Sequence, residues 1–240
     1  MAENRRRTGD RGRPRRFTPV PVIWVPKTRL GREVKEGQIT SIDTILTSGE
    51  IIAEAEMVDA LLPNLRSETL SINRTTRIRD SGRVMSFQAT TAVGNGNGYI
   101  GIGTGKALSV RNAIEKATRK AKMNIMSVKR GCGSWQCTCG NPHTVPFKVE
   151  GKCGSVKIIV QPAPNGLGIK TGKTAKTILE LSGIKDAWLT TKGKTSTSMN
   201  FAKATVEALK QTNLKKGKMA ECGELPKTEK IVEEVKEEEE

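Results

Sequence analysis

Between Val84 and Met126 the chain changes its hydrophobic period, and that change limits the folds open to it. Residues 84–94 (VMSFQATTAVG) and 99–103 (YIGIG) read as strands. Between them, Gly94-Asn95-Gly96-Asn97-Gly98 forms a hairpin turn, because Asn-Gly steps tolerate the positive φ that such turns need. From about Leu108 to Met126 the apolar residues Val110, Ala113, Ile114, Ala117, Ala121 and Ile125 fall instead at helical spacing. Arg111, Lys116, Arg119, Lys120 and Lys122 lie largely off that stripe, so the helix packs on the sheet and turns cations to solvent. A further strand, ETLSINRT at 68–75, precedes them, with Asp80-Ser81-Gly82-Arg83 as the tip of an earlier hairpin. A small sheet carrying one basic helix is the shape used by double-stranded-RNA binders.

The charge points the same way. The chain has 240 residues, enough for one or two domains, and a net charge of +16. Residues 1–16 carry Arg5, Arg6, Arg7, Arg11, Arg13, Arg15 and Arg16 against Glu3 and Asp10. Residues 224–240 carry eight Glu against three Lys, so the two ends cancel and the middle keeps the whole excess. A folded body this basic calls for a polyanionic partner. No apolar run reaches the ~18 residues of a membrane span, and no signal-peptide core opens the chain. With five cysteines, an odd number, a reducing cytoplasm is expected rather than a disulfide framework.

The sequence divides into six parts. Residues 1–16 form a disordered basic arm with almost nothing apolar to bury. Residues 17–63 hold an extended Pro-rich stretch to about residue 40, then two short helices, one from Ser41 to Gly49 and one from about Glu50 to Leu62. Residues 64–128 are the sheet-and-helix unit, and 129–143 a Cys-rich insert. Residues 144–215 restart as strand (TVPFKVEG), strand (SVKIIVQPA), helix (174–182), strand (AWLTT) and helix (about 199–212), a second α/β layer. Residues 224–240 are a disordered acidic tail.

Two glycine-rich stretches imitate nucleotide loops. A phosphate-binding loop ending at Gly172-Lys173-Thr174 needs its first glycine at position 167, which is Leu167; Gly166 and Gly168 miss by one residue on either side. Gly101-Ile102-Gly103-Thr104-Gly105-Lys106 lacks the third glycine of a dinucleotide fingerprint and follows a hairpin strand, so its expected role is close backbone approach. Cys132, Cys137, Cys139 and His143 are a different matter. Three thiols and an imidazole within twelve residues can wrap one tetrahedral zinc, with Gly131, Gly133 and Gly140 easing the turns and Trp135 placed to shield one side. The competing reading is ordinary buried or free cysteines. His143 is the only histidine, so a Ser-His-Asp arrangement would have to share it with the metal, and the deaminase signature is missing. The chain therefore does not read as an enzyme.

The runs VGNGNGYIGIGTGKALSVRNAIEKATRKAKMNI, GSVKIIVQPAPNGLGIKTGKTAKTILELSGIKDAW and NFAKATVEAL, in that order, resemble the universal fifth protein family of the small ribosomal subunit over roughly residues 50–213. The stretch Trp24-Val25-Pro26-Lys27-Thr28-Arg29-Leu30-Gly31 and the CGSWQCTCG insert resemble its archaeal branch. The resemblance implies an α+β fold: an N-terminal double-stranded-RNA-binding-like domain of three strands and a helix, and a C-terminal ribosomal α/β domain of four strands and two helices with a left-handed crossover. It implies a structural protein of the cytoplasmic ribosome that binds ribosomal RNA near the channel where messenger RNA enters. It also implies support of decoding accuracy and contact with the fourth and eighth small-subunit proteins. Residue by residue, Asp80-Ser81-Gly82-Arg83 matches a loop reaching toward RNA, where the family usually shows Lys-Gly-Gly-Arg; Gly166, Leu167, Gly168 and Lys176 match a surface facing the fourth protein. Arg83, Lys106, Arg111, Lys116, Arg119 and the seven arginines of the arm are the expected RNA contacts. The alternative is a free-standing regulator that binds structured RNA with the same module.

Overall fold

The computed structural model describes residues 24–137 and 139–213; the basic arm, the acidic tail and the last two residues of the C-terminal unit lie outside them. Strands β1 (Arg66–Arg79), β2 (Gly82–Gly94), β3 (Tyr99–Ala107) and β4 (Ile125–Ser127) form one antiparallel sheet in that order. The three expected strands are present, and β4 is an addition at residues that the apolar spacing gave to the helix end. Helix α4 runs from Val110 to Met123, and the Ser109 side chain accepts the Asn112 N–H at 3.3 Å to cap it. Three residues are too few for a strand period to show beside fourteen of helical period.

Helix α4 meets the sheet through alanines. Ala113, Ala117 and Ala121 are fully buried and lie against Gly101, Gly103 and Gly105 of β3. A methyl group added at Gly103 would stand 2.1 Å from the Ala117 carbonyl oxygen, and one at Gly101 2.2 Å from that of Ala121. The second glycine-rich stretch is thus the groove that lets helix backbone touch strand backbone. On the other side of the sheet's core end, β2 pairs with β3 only from Phe87 to Gly94, while β1 and β2 stay paired out to Arg79↔Gly82. Residues 75–86 therefore leave the sheet as a two-stranded ribbon, closed by a two-residue turn at Asp80-Ser81.

Ahead of the sheet, α1 (Arg29–Lys35), α2 (Ile42–Ser48) and α3 (Ala55–Leu61) bury Val34, Ile42, Ile45, Ile52, Met57 and Val58 against Ile125. Helix α1 corrects the reading of residues 17–40 as wholly extended. The prolines at 19, 21 and 26 all precede it, and the Thr28 hydroxyl accepts the Gly31 N–H at 3.1 Å to start it. Helix α3 begins at Ala55 rather than Glu50, because Glu54 is tied to residues 24–28 ahead of α1. Its carboxylate accepts the Trp24 indole N–H at 2.8 Å and the backbone N–H groups of Lys27 and Thr28 at 2.8 and 2.7 Å.

The second sheet holds β5 (Val149–Cys153), β6 (Val156–Pro162), β7 (Ile169–Lys170) and β8 (Ala187–Lys192) in the order β5-β6-β8-β7. β7 and β8 are parallel and joined through α5 (Lys173–Ser182), the crossover of the domain; the other pairs are antiparallel. Helix α6 (Ser198–Lys210) packs on β5 and β6. Thr144, expected to open β5, instead exchanges both backbone hydrogen bonds with Gly131 and closes the Cys-rich loop. One core joins the two sheets, with Ala92, Ile100 and Val128 packed among Val145, Ile158, Ile178, Leu179 and Leu209. The Gly94–Gly98 turn is the joint: its Gly96 and Gly98 N–H groups donate to the carbonyls of Leu181 and Ser182 at 2.9 and 3.0 Å, with φ of 72° and 98°. Arg130 donates to the carbonyls of Gly96 and Gly183, and burial pulls its pKa down.

Candidate metal centre and nucleic-acid interface

The Gly131–Thr144 pairing brings Cys132, Cys137, Cys139 and His143 together, with all four ligand atoms within 4.8 Å of one another. Cys139 Sγ lies 3.6 Å from Cys132 Sγ, and Cys137 Sγ lies 3.7 Å from His143 Nε2. A tetrahedral ion with ~2.3 Å bonds to sulfur and ~2.0 Å to nitrogen has S–S edges of roughly 3.8 Å and S–N edges of roughly 3.5 Å. Two edges of the tetrahedron are already close to these lengths. The donor set, soft thiolates with one imidazole and all four positions taken by protein, suits zinc in a closed site. The four residues form a cluster that could hold a metal.

Electrostatics divides the thiols. The Cys137 thiol is lowered to about 6 by the hydrogen bond from the Cys139 side chain, helped by the backbone N–H groups of Asn165 and Cys139 and by His143. Burial pushes the Cys132 thiol up to about 11, with the neighbouring thiols adding to it. Behind the ligands, buried His143 shares Nδ1 with Asp186 Oδ2 at 2.9 Å, which fixes Nε2 toward the sulfurs. Trp135, expected to shield the site, does not cover it: the side chain is 89% exposed at the turn of the loop. Cys153, a conceivable competitor, ends β5 in a cleft lined by other residues.

The expected RNA contacts stand on two surfaces. Arg111, Lys116 and Arg119 are exposed along α4, with Lys106 exposed near the end of β3. Arg111 is partly engaged, donating to Glu115 at 3.1 Å, but both side chains are so exposed that the pair neutralises little. Lys122, on the same helix, is taken by Asp59 at 2.7 Å. Arg83 is exposed at the far end of the ribbon, away from the α4 cations along the strand. The seven arginines of the arm lie outside the described residues. The Gly166-Leu167-Gly168 loop sits between β6 and β7, where the Asp186 carboxylate accepts the Gly168 N–H at 2.7 Å. A carboxylate in that place repels a phosphate, so the loop is no nucleotide cradle. Lys176 is exposed on α5, 3.8 Å from Glu180.

Comparison with known proteins decides the family. Residues 65–129 match the family description "Ribosomal protein S5, N-terminal domain", and residues 151–221 match "Ribosomal protein S5, C-terminal domain". The chain is 55% identical over 189 residues to the small ribosomal subunit protein uS5 of Thermofilum pendens, covering 79% of this chain and 94% of that one. It is 55% identical over 190 residues to the uS5 protein of Methanocaldococcus jannaschii (79% and 88%) and 54% over 188 to that of Methanothermobacter thermautotrophicus (78% and 87%). The chain belongs to the uS5 family. It is thus a structural constituent of the small ribosomal subunit and not an enzyme, with RNA binding and translation as its setting and small-subunit ribosomal RNA and ribosomal proteins as its partners. No helix among the described residues is long and apolar enough to cross a membrane.

Within this uS5 fold, sequence reasoning missed the ribbon arginines behind Arg83 and the meeting of Lys120 with two lysines of the second domain. Arg74, Arg77 and Arg79 line the ribbon behind Arg83, all exposed. Their signal was legible as a basic strand pair, but the ribbon's length was not. Lys120 of α4, Lys152 of β5 and Lys203 of α6 line a cleft of about 580 Å³ between the two sheets, together with Asn124 and Glu207. No short motif could have found these three, because three separate elements bring them to one place.

Proposed function

We propose that this uS5 protein grips structured small-subunit ribosomal RNA by its phosphates, using the α4 cations and Lys106, the ribbon arginines ending at Arg83, and the seven arginines of residues 1–16. The single observation that carries this is the exposed row Arg111, Lys116 and Arg119 on a helix seated rigidly, backbone to backbone, on its sheet. Rigid placement matters because phosphate contacts set register rather than sequence preference. The cleft cations Lys120, Lys152 and Lys203 extend the same surface to the second domain. The ribbon would reach RNA beside the channel where messenger RNA enters, which is how the protein would support decoding accuracy. Gly166, Leu167, Gly168 and Lys176 would face the fourth small-subunit protein, with the eighth as a second neighbour. Cys132, Cys137, Cys139 and His143 would hold one structural zinc that braces the segment beside the Arg130 joint.

Replacing Arg111, Lys116 and Arg119 together by Ala tests the RNA reading. All three are exposed, so the fold is kept. Affinity for a structured ribosomal RNA fragment should fall, and the slope of log K against log salt should flatten by about 2–3, one released counterion for each lost phosphate contact. An unchanged slope would remove α4 from the interface. A free-standing RNA regulator would show the same slope, so sedimentation separates the two: the ribosomal reading requires the chain to travel with small subunits in a sucrose gradient.

A further inference from the structure

Asp186 is a buried carboxylate, 3% exposed, and its one ion-pair partner among the described residues is His143. A carboxylate in such a place needs strong compensation. It receives it from two donors on opposite oxygens: His143 Nδ1 to Oδ2 at 2.9 Å, and the Gly168 N–H to Oδ1 at 2.7 Å. The first is on a ligand of the metal cluster and the second is the last residue of the loop between β6 and β7. Just before the loop, the Ala163 N–H donates to Thr144 Oγ1 at 3.2 Å, beside His143 in sequence. The 165–168 loop is therefore held on either side by residues 143–144, Gly168 through Asp186 to His143 and Ala163 to Thr144, although its first residue lies 22 positions beyond His143 in sequence.

We propose that Asp186 is a positioning residue that joins the metal centre to this loop, so that bound zinc holds residues 165–168 in the shape seen here. The inference rests on the zinc reading of the cluster. When bound, the ion withdraws charge from the imidazole, which strengthens donation from Nδ1, and fixes Nε2 as a ligand. Asp186 then keeps one oxygen for His143 and the other for Gly168. Removing the ion frees the imidazole to turn and loosens the carboxylate that holds Gly168. The shape of the loop is then a readout of metal occupancy, and any surface that docks on Gly166 and Leu167 docks on a metal-dependent element.

Asparagine at this position separates coupling from mere support. Asp186→Asn offers one acceptor to two donors, so either His143 Nδ1–H or Gly168 N–H is left facing an NH₂ group. The experiment uses the full chain, zinc-loaded and chelator-stripped, with metal content measured and amide exchange followed at Asn165, Leu167 and Gly168. The amides of Ile158 and Leu209, in the core, serve as internal references. The expected result is one zinc per chain, exchange in the loop at least tenfold faster after stripping, and reference amides unchanged. Asp186→Asn should weaken zinc binding by roughly 10–100-fold and speed loop exchange even at saturating zinc. Zinc bound with loop exchange indifferent to its removal would overturn the coupling and leave the zinc site standing. So would Asp186→Asn with full zinc affinity. Protein that takes up no zinc at all would overturn both. Should stripping unfold the second domain, the variant at saturating zinc still decides, because it perturbs the link with the ion present.

Discussion

Substituting alanine at Gly103 tests whether backbone contact between α4 and β3 holds the cationic face of α4 in place. The added methyl would lie 2.1 Å from Ala117 O, 2.3 Å from Ala121 N and 2.9 Å from Ala121 Cα, where ordinary contact begins near 3.4 Å. The shortfall is 1.3 Å, and every atom in the way is main chain, so no rotamer change can relieve it. The helix must retreat along its length. Opening a gap of ~0.5–1 Å forfeits a quarter to a half of the dispersion well of each contact, and overpacking of a tight core costs about 1–3 kcal/mol. Because both walls are backbone, Gly103→Ala belongs at about 3 kcal/mol, a large share of the roughly 5–15 kcal/mol that holds a domain together. With a urea m-value of about 2 kcal/mol/M, the unfolding midpoint should fall by about 1.5 M. Ala117→Gly should not rescue it, since the clash is with the carbonyl and not with the alanine side chain. Gly172→Ala is the control: its nearest neighbour is Phe201 Cε1 at 3.9 Å, and it should cost at most about 1 kcal/mol through the weaker helix cap. A Gly103→Ala loss below about 1 kcal/mol, or rescue by Ala117→Gly, would refute the account of the glycine row.

Other outcomes follow from the same geometry. Elemental analysis of protein purified without chelator should give about one zinc per chain, lost in the Cys137→Ser, Cys139→Ser double variant together with several degrees of Tm; protein without zinc whose Tm ignores chelator would return the cluster to ordinary cysteines. Glu54 gives a pH test. Burial alone would raise its pKa, but the Thr28 and Lys27 backbone N–H groups, the Thr28 side chain and the Trp24 indole outweigh it and lower it from 4.5 to about 2. A depressed carboxylate stabilises above its unfolded pKa and loses that contribution as pH falls from about 4.5 toward 2, so wild type should lose about 1–2 kcal/mol more than Glu54→Gln over that window, after discounting for solvent screening. Trp24 fluorescence against pH reads it, and parallel curves for the two proteins would contradict it.

What could be read from the sequence depended on how far apart the cooperating residues stand. The sheet, its Asn-Gly turn and α4 were legible because each is declared by spacing within about twenty residues. The turn's second task was not: Gly96 and Gly98 also bind Leu181 and Ser182, and nothing in either segment announces the other. Helix α1 was hidden by three prolines that all precede it, and β4 and β7 by being three and two residues long. The long ribbon escaped notice for another reason. Its residues 75–86 show no buried face, so the alternation that marks a strand fades where the sheet ends.

The metal cluster shows the same division at one site. Its four candidate ligands sit within twelve residues, and their spacing singled them out before any fold was known. Asp186, 43 residues beyond His143, carries no local mark as a partner. It reads as one more acidic residue after a glycine-terminated helix. Yet the candidate ligands are local because a short stretch of chain can wrap an ion unaided, and Asp186 is remote because the fold alone brings its carboxylate to His143 and Gly168. A tether gains most when it joins segments that would otherwise wander apart, since the entropy of closing a longer loop is what the folded state must overcome. Local spacing therefore finds the candidate ligands of such a cluster, and only the fold finds the carboxylate that links it to the loop between β6 and β7.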